Sequence, residues 1–110
     1  MIPMRKGIVF VTILPSLMSF LAIAANKGDA EQGKKVFEQC TVCHNPDTDE
    51  KKVGPGLKGL FQHSKLKNGK APTDETVLAV INSGGGGMPS FSDTLSSEDK
   101  DNLLAYLHSL

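Results

Sequence analysis

The feature that most constrains this chain is the segment Cys40-Thr-Val-Cys43-His44, which contains both of its cysteines. On a helix, positions 40, 43 and 44 are related as i, i+3 and i+4, so that both thiols and the imidazole emerge from the same face. Three reactive side chains on one face of one turn can bind a single common group. The domain is therefore expected to fold around whatever this turn binds.

The composition indicates why the domain needs a bound group or a covalent link for its stability. The chain has 110 residues, enough for one small domain, with 39% apolar side chains and no tryptophan. Sixteen of the apolar side chains fall within residues 1–24, which leaves the rest of the chain poor in apolar residues. A domain of this size buries too little apolar surface to be comfortably stable without an additional link.

Residues 1–24 are predicted to be an export signal that is cleaved before Ala25, which leaves a single domain over 25–110. A basic start precedes an apolar run, and Ala22 and Ala24 are small residues at the two positions that a signal peptidase reads. The apolar run is also long enough to span a bilayer, so an uncleaved membrane anchor is the alternative. After cleavage we expect no membrane span.

The charge balance limits the possible partners. Cleavage would remove Arg5 and Lys6 from a chain with 12 basic and 12 acidic residues, which leaves the exported domain slightly acidic. A domain that binds nucleic acid would instead carry an excess of lysine and arginine. We therefore expect a soluble periplasmic domain, a monomer, with no nucleic-acid partner.

Hydrophobic spacing predicts an all-α domain with its main helices at the two ends. Asp29–His44 is predicted to be the first helix, capped by its first residue, and the last helix is predicted to begin at Ser96. A shorter helix is predicted over Asp74–Asn82 and is expected to stop at Gly84, while Lys58–Phe61 is predicted to form a short helical turn. No segment has the alternation typical of a strand.

Covalent attachment of one haem c is the chemistry that this motif favours, because C-x-x-C-H is the attachment sequence for that cofactor. The thiols of Cys40 and Cys43 can bond two vinyl groups on one porphyrin edge, while the imidazole of His44 reaches the iron. Three alternatives remain. A thioredoxin-like dithiol requires a βαβ setting. A zinc site requires two further ligands, and only His63 and His108 are spare histidines. A structural disulfide leaves the histidine next to Cys43 unexplained.

Over Asp29–Leu110 the chain resembles the class I c-type cytochromes. Gly33 and Phe37 look like the glycine and the aromatic residue of that family's first helix, and the segment around Tyr106 looks like the tyrosine segment of its last helix. The resemblance implies the small cytochrome c fold, in which the N- and C-terminal helices cross closely around a covalently bound haem.

The resemblance also implies the surroundings of the iron. The loop from Gly54 to Leu57 matches a family loop in which a proline carbonyl accepts the second ring N–H of the proximal histidine, a role that would fall to Pro55. His44 and Met88 are the implied axial ligands. Met88 is the only methionine after the predicted signal and follows four glycines, where no helix face needs filling. His63 is the rival for the distal position.

These features predict a periplasmic electron carrier with one haem, which is not an enzyme and meets other redox proteins in transient contacts. Filling both axial positions disfavours binding of oxygen. The glycine run before the methionine is expected to make its loop costly to order and the methionine–iron bond labile. The alternatives are a haem subunit of a periplasmic dehydrogenase or sulfur-oxidising complex, and a ligand sensor or peroxidase with an open axial site.

Overall fold

The structure, a computed structural model, describes residues 28–110 and, near the N-terminus, residues 2–3, 7 and 11–12. Its helices are α1 (Ala30–Phe37), α2 (Asp74–Ser83) and α3 (Ser97–His108), with two short 3-10 helices at Glu38–Cys40 and Leu60–Gln62. Within residues 28–110 there is no β-strand, only an isolated antiparallel bridge between Gly85 and Met88. The predicted all-α class is confirmed.

The predicted export signal, residues 1–24, lies outside the described residues except for those five positions, and the predicted cleavage site before Ala25 lies outside them altogether. In the part of the chain that the structure describes, no helix has the length and apolar character needed to cross a membrane.

Side-chain caps fix where the three helices begin. The Asp29 carboxylate accepts hydrogen bonds from the backbone N–H groups of Glu31 and Gln32 in the first turn of α1. Thr73 forms a capping box with Thr76 at the start of α2, and Ser96 forms one with Asp99 at the start of α3. Each cap satisfies N–H groups that have no partner within the helix. The predicted start of the last helix is therefore confirmed.

The predicted extent of the first helix is wrong at its C-terminal end. α1 stops at Phe37, and Glu38–Cys40 tightens into a 3-10 turn. The cause is local, because the Glu38 carbonyl accepts hydrogen bonds from both the backbone N–H and the hydroxyl of Thr41, at 3.3 and 2.6 Å. These bonds favour i→i+3 geometry over continuation of the α-helix.

The short turn predicted over Lys58–Phe61 is displaced to Leu60–Gln62. Gly59 has a φ of 64°, a left-handed conformation that cannot belong to a right-handed helical turn. The turn can therefore begin only after this glycine.

α1 packs mainly against α3, and the two helices cross at Gly33. A Cβ at Gly33 would overlap the backbone carbonyl of Asn102 and lie 2.7 Å from the Cβ of Tyr106. The Asp29 N–H donates to the Asn102 side-chain oxygen at 2.8 Å, and the rings of Phe37 and Tyr106 lie 5.2 Å apart. The close crossing that the resemblance implied is confirmed, and the missing side chain at Gly33 permits it.

The core between the helices is small. Its buried apolar side chains are Phe37, Val77, Ile81, Leu95, Leu103, Leu104 and Leu107. Cys40 and Met88 are partly buried residues that pack against this core from different segments of the chain. The helix crossing thus places the segments that carry these two residues at the border of one apolar cluster.

Candidate haem site

Cys40, Cys43 and His44 occupy a single turn directly after α1. The Cys40 carbonyl accepts hydrogen bonds from the backbone N–H of Cys43 at 3.2 Å and of His44 at 2.9 Å. Both thiols are free of a disulfide and half-buried. Burial, with a smaller contribution from the charge of the neighbouring Cys43, raises the pKa of the Cys40 thiol. A neutral sulfur, such as that of a thioether, therefore suits this position better than a thiolate does.

A loop after this turn holds it in place. The Gly54 N–H donates to the Cys43 carbonyl at 2.7 Å, and the Leu57 N–H donates to the Asn45 carbonyl at 2.8 Å. These bonds satisfy the Cys43 and Asn45 carbonyls, which come after the helical residues that follow α1. As a result, the loop lies alongside the imidazole of His44.

The His44 ring is oriented by a hydrogen bond from its Nδ1 to the carbonyl oxygen of Pro55, at 2.7 Å. A carbonyl oxygen only accepts, so the proton of a neutral ring must reside on Nδ1. The lone pair is then on Nε2, the atom left to bind a metal. This is the bond that the family resemblance implied for Pro55.

Gly54 packs directly against the same imidazole, a contact that the sequence analysis missed. A Cβ at Gly54 would lie 2.5 Å from Cε1 and 2.9 Å from Nδ1 of His44. The glycine immediately before Pro55 was the available signal, but sequence alone could only assign it to an irregular loop. The imidazole is thus held by a hydrogen bond on Nδ1 and by backbone packing at Gly54.

Met88 belongs to a separate segment that follows α2. Its backbone exchanges hydrogen bonds with Gly85, at 2.9 and 3.1 Å, and it is partly buried against the core. The structure therefore brings Cys40, Cys43, His44 and Pro55 together in one hydrogen-bonded unit. Met88 meets the same core from another segment, and its role at the iron stays a prediction.

The two other histidines are engaged elsewhere. His63 is exposed, and its Nε2 donates to the Lys58 carbonyl at 3.0 Å. His108 stacks on Phe61 with ring centroids 3.6 Å apart, and its Nε2 lies 2.5 Å from an Asp74 carboxylate oxygen. Among the described residues, no three or more His, Cys, Asp or Glu side chains converge to hold a metal ion. A zinc site thus lacks a complete set of protein ligands in that region.

Comparison with known proteins identifies the family. The family model described as "Cytochrome C oxidase, cbb3-type, subunit III" matches residues 28–107. A cytochrome c6 of Leptolyngbya boryana is 32% identical over 80 residues, which cover 72% of this chain and 89% of that protein. The chain belongs to the class I c-type cytochromes.

The structural comparison agrees. This cytochrome matches the structure of cytochrome c6 from the diatom Phaeodactylum tricornutum with a TM-score of 0.56 and 28% sequence identity, over 74% of this chain and 93% of that chain. A cytochrome c2 of Blastochloris viridis is 50% identical over 48 residues, but the match covers only 38% of that protein. The chain spans about two fifths of the length of such cytochrome c2 relatives. The small cytochrome c fold is therefore confirmed.

Membership in this family implies a covalently bound haem c, and the described residues fit that group. A pair of half-buried thiols lies one turn apart, and the adjacent imidazole has its Nδ1 occupied and its Nε2 available. Partly buried apolar side chains pack against the same core as Cys40. When bound, the haem supplies an iron centre that gains or loses one electron.

Gly54→Ala is expected to displace the His44 ring, because the added methyl group would lie 2.5 Å from its Cε1. Overpacking of this kind should lower the free energy of unfolding by about 1–3 kcal/mol. It should also add a high-spin component to the absorption spectrum of the haem-loaded protein. Denaturant unfolding and absorption spectroscopy measure the two effects.

Val53→Ala is the control, because the Val53 side chain is exposed and adjacent in sequence. It should leave both stability and spectrum as in the unmodified protein. A Gly54→Ala protein that matches the Val53→Ala control in both measurements would show that the glycine does not constrain the imidazole.

Proposed function

We propose that this cytochrome is a periplasmic one-electron carrier in which Cys40 and Cys43 bind the haem covalently and His44 and Met88 are the axial ligands of the iron. The observation that carries the proposal is the hydrogen bond between His44 Nδ1 and the Pro55 carbonyl. It leaves Nε2 as the metal-binding atom, beside the two thiols that would anchor the haem edge.

The contribution of each side chain follows from its chemistry. The Pro55 carbonyl fixes the orientation of His44 and increases the basicity of its imidazole as a ligand. Met88 offers a thioether, a neutral and weakly donating ligand that favours the ferrous state and raises the reduction potential above that of a bis-histidine site. Thioether bonds at the cysteines keep the haem bound in both oxidation states.

Met88 is a better distal ligand than His63 on the contacts of the described residues. Met88 is partly buried and packs against the same core as Cys40. The His63 ring is exposed and already donates to the Lys58 carbonyl, so ligation would require breaking that bond and moving the ring inward.

The chain is an electron carrier rather than an enzyme, because two protein ligands on the iron leave no position for a substrate. Its partners are redox proteins that bind transiently through small contacts. Val42 and Val53 are 72% and 73% exposed, and they lie in the two segments joined by the Gly54–Cys43 hydrogen bond. These apolar side chains beside the attachment turn provide a contact surface for such partners.

Export is part of the proposal, with residues 1–24 as a cleaved signal and 25–110 as the cytochrome domain. We expect the exported protein to have the mass of residues 25–110 plus one haem, since Ala22 and Ala24 satisfy the requirement for small residues at the cleavage site. Intact-mass spectrometry after denaturation tests cleavage and covalent attachment together, because a haem without thioether bonds is lost.

The Cys40→Ala, Cys43→Ala double variant should show no haem mass, and Cys43→Ser should retain one thioether bond at most. A full-length mass recovered from the membrane fraction would contradict cleavage. A denatured exported protein without haem mass would contradict covalent attachment.

Met88→Ala should allow the reduced protein to bind carbon monoxide, abolish the sulfur-to-iron charge-transfer band of the oxidised protein and lower the reduction potential, because the weak thioether favours the ferrous state. His63→Ala, the matched control, should change none of these. The reverse pattern would make the protein a bis-histidine cytochrome. Carbon monoxide binding by the unmodified protein would instead favour the sensor alternative.

A second candidate is a haem subunit of a larger electron-transfer complex. The matching family model is named after a subunit of an oxidase, which favours this possibility. Gel filtration of extract from the native host, followed by haem detection, separates the two candidates. A free carrier elutes at the size of one chain, whereas a subunit elutes with its complex.

A further inference from the structure

The segment Gly84–Pro89 forms an ordered turn rather than an open loop. Gly85 and Met88 exchange two backbone hydrogen bonds, N–H to carbonyl at 2.9 and 3.1 Å, which close a two-residue turn. The central residues, Gly86 and Gly87, have φ values of 62° and 94°. Positive φ at both central positions is the signature of a type I′ turn.

The glycines of this turn are required for two different reasons. At Gly84, with φ 62° and ψ −154°, a Cβ would also lie 2.5 Å from the Met88 carbonyl oxygen and 2.7 Å from the Pro89 carbonyl carbon. At Gly86 and Gly87, a Cβ would have no neighbour within 4 Å. Space is therefore free at the two central positions, and only the left-handed backbone restricts which residue can occupy them.

The chain after the turn is tied back to the end of α2. The Phe91 N–H donates to the Ile81 carbonyl at 2.9 Å, and the Ser90 hydroxyl donates to the Asn82 carbonyl at 2.5 Å. These carbonyls belong to the last turn of the helix, where no intrahelical partner is available. Met88 is thus held on its N-terminal side by the glycine turn and on its C-terminal side by these two bonds.

We propose that Gly86 and Gly87 are positioning residues for Met88. Their left-handed turn fixes the backbone from which the thioether extends, and it determines how readily another ligand replaces that thioether. The inference rests on the proposed ligation of the iron by Met88. It also replaces the sequence-based expectation of a labile methionine, because backbone hydrogen bonds on both sides of Met88 restrict the segment that was expected to be loose.

The segment around Met88 has two states in this proposal. In the closed state the turn is formed and the thioether is in place, and in the open state the chain around Met88 is released. A β-branched residue at position 86 is strained only in the closed, left-handed state, so it shifts the population towards the open state. Asparagine tolerates left-handed conformations, and Asn-Gly is a preferred type I′ sequence, so it preserves the closed state.

The experiment is a titration of the oxidised haem-loaded protein with imidazole, followed by the shift of the main haem absorption band, which every variant shows. In proteins that retain the methionine, loss of the sulfur-to-iron charge-transfer band is recorded in parallel. The exchange breaks the bond from iron to the Met88 sulfur and forms one to an imidazole nitrogen, with no change in oxidation state. We expect Gly86→Val to bind imidazole about 5- to 30-fold more tightly than the unmodified protein. Gly86→Asn should bind it no more tightly than the unmodified protein.

Gly69→Val provides a matched control. Gly69 has a φ of 82°, a Cβ there would have no neighbour within 4 Å, and its N–H closes a turn onto the Leu66 carbonyl at 2.9 Å. The same substitution therefore introduces the same kind of strain in a different loop, and it should leave imidazole affinity unchanged. If Gly86→Val fails to load haem, Gly86→Ala replaces it, since alanine is also strained at positive φ.

The outcomes separate this inference from the proposed function. Met88→Ala should bind imidazole more tightly than any glycine variant. Suppose that Met88→Ala does bind imidazole more tightly. The ligation then stands, but the positioning role is wrong if Gly86→Val binds imidazole as the unmodified protein does. The positioning role is also wrong if Gly86→Asn and Gly69→Val show the same increase as Gly86→Val. If Met88→Ala binds imidazole as the unmodified protein does, Met88 is not the ligand and both proposals fall.

Discussion

The close crossing of α1 and α3 is the constraint on which the rest of the structure depends. Gly33 presents bare backbone to the Asn102 carbonyl, and the Asp29 N–H donates to the Asn102 side chain, so the two helices meet without an intervening layer of side chains. Phe37 and Tyr106 then pack their rings together at the same junction. Because α1 leads into the cysteine turn, this contact sets where that turn lies relative to the core. The Met88 segment reaches the same core from the end of α2, to which Phe91 and Ser90 are hydrogen-bonded.

Glycine contributes to the His44 loop and to the Met88 turn through different physical properties. At Gly54 the property that matters is the absence of a side chain, because the His44 ring occupies the space a Cβ would take. At Gly86 and Gly87 that space is empty, and the property that matters is access to positive φ. The loop beside His44 therefore depends on packing, and the turn before Met88 depends on backbone handedness.

Both arrangements suit the proposed ligation, in which the iron would change charge by one unit while His44 and Met88 stay in place. The Pro55 carbonyl fixes the tautomer of His44 through a single bond of 2.7 Å. The Met88 segment is held by backbone hydrogen bonds on both of its sides. Ligands fixed by backbone groups do not depend on the protonation of neighbouring side chains, since peptide groups do not titrate in the physiological range.

The sequence alone determined the attachment motif, the all-α class, the cap at Asp29 and the start of the last helix at Ser96, because each depends on residues only a few positions apart. Family resemblance added the role of the Pro55 carbonyl as the acceptor for His44 and the prediction that Met88 is an axial ligand. The packing of Gly54 on His44 and the attachment of the Met88 segment to the end of α2 were decided only by the tertiary structure. The end of α1 at Phe37 and the glycine turn arise from local hydrogen bonds that residue spacing did not predict. These features depend on competition between alternative hydrogen bonds and on contacts between separate segments, and local sequence spacing does not specify the distances between segments that the folded chain brings together.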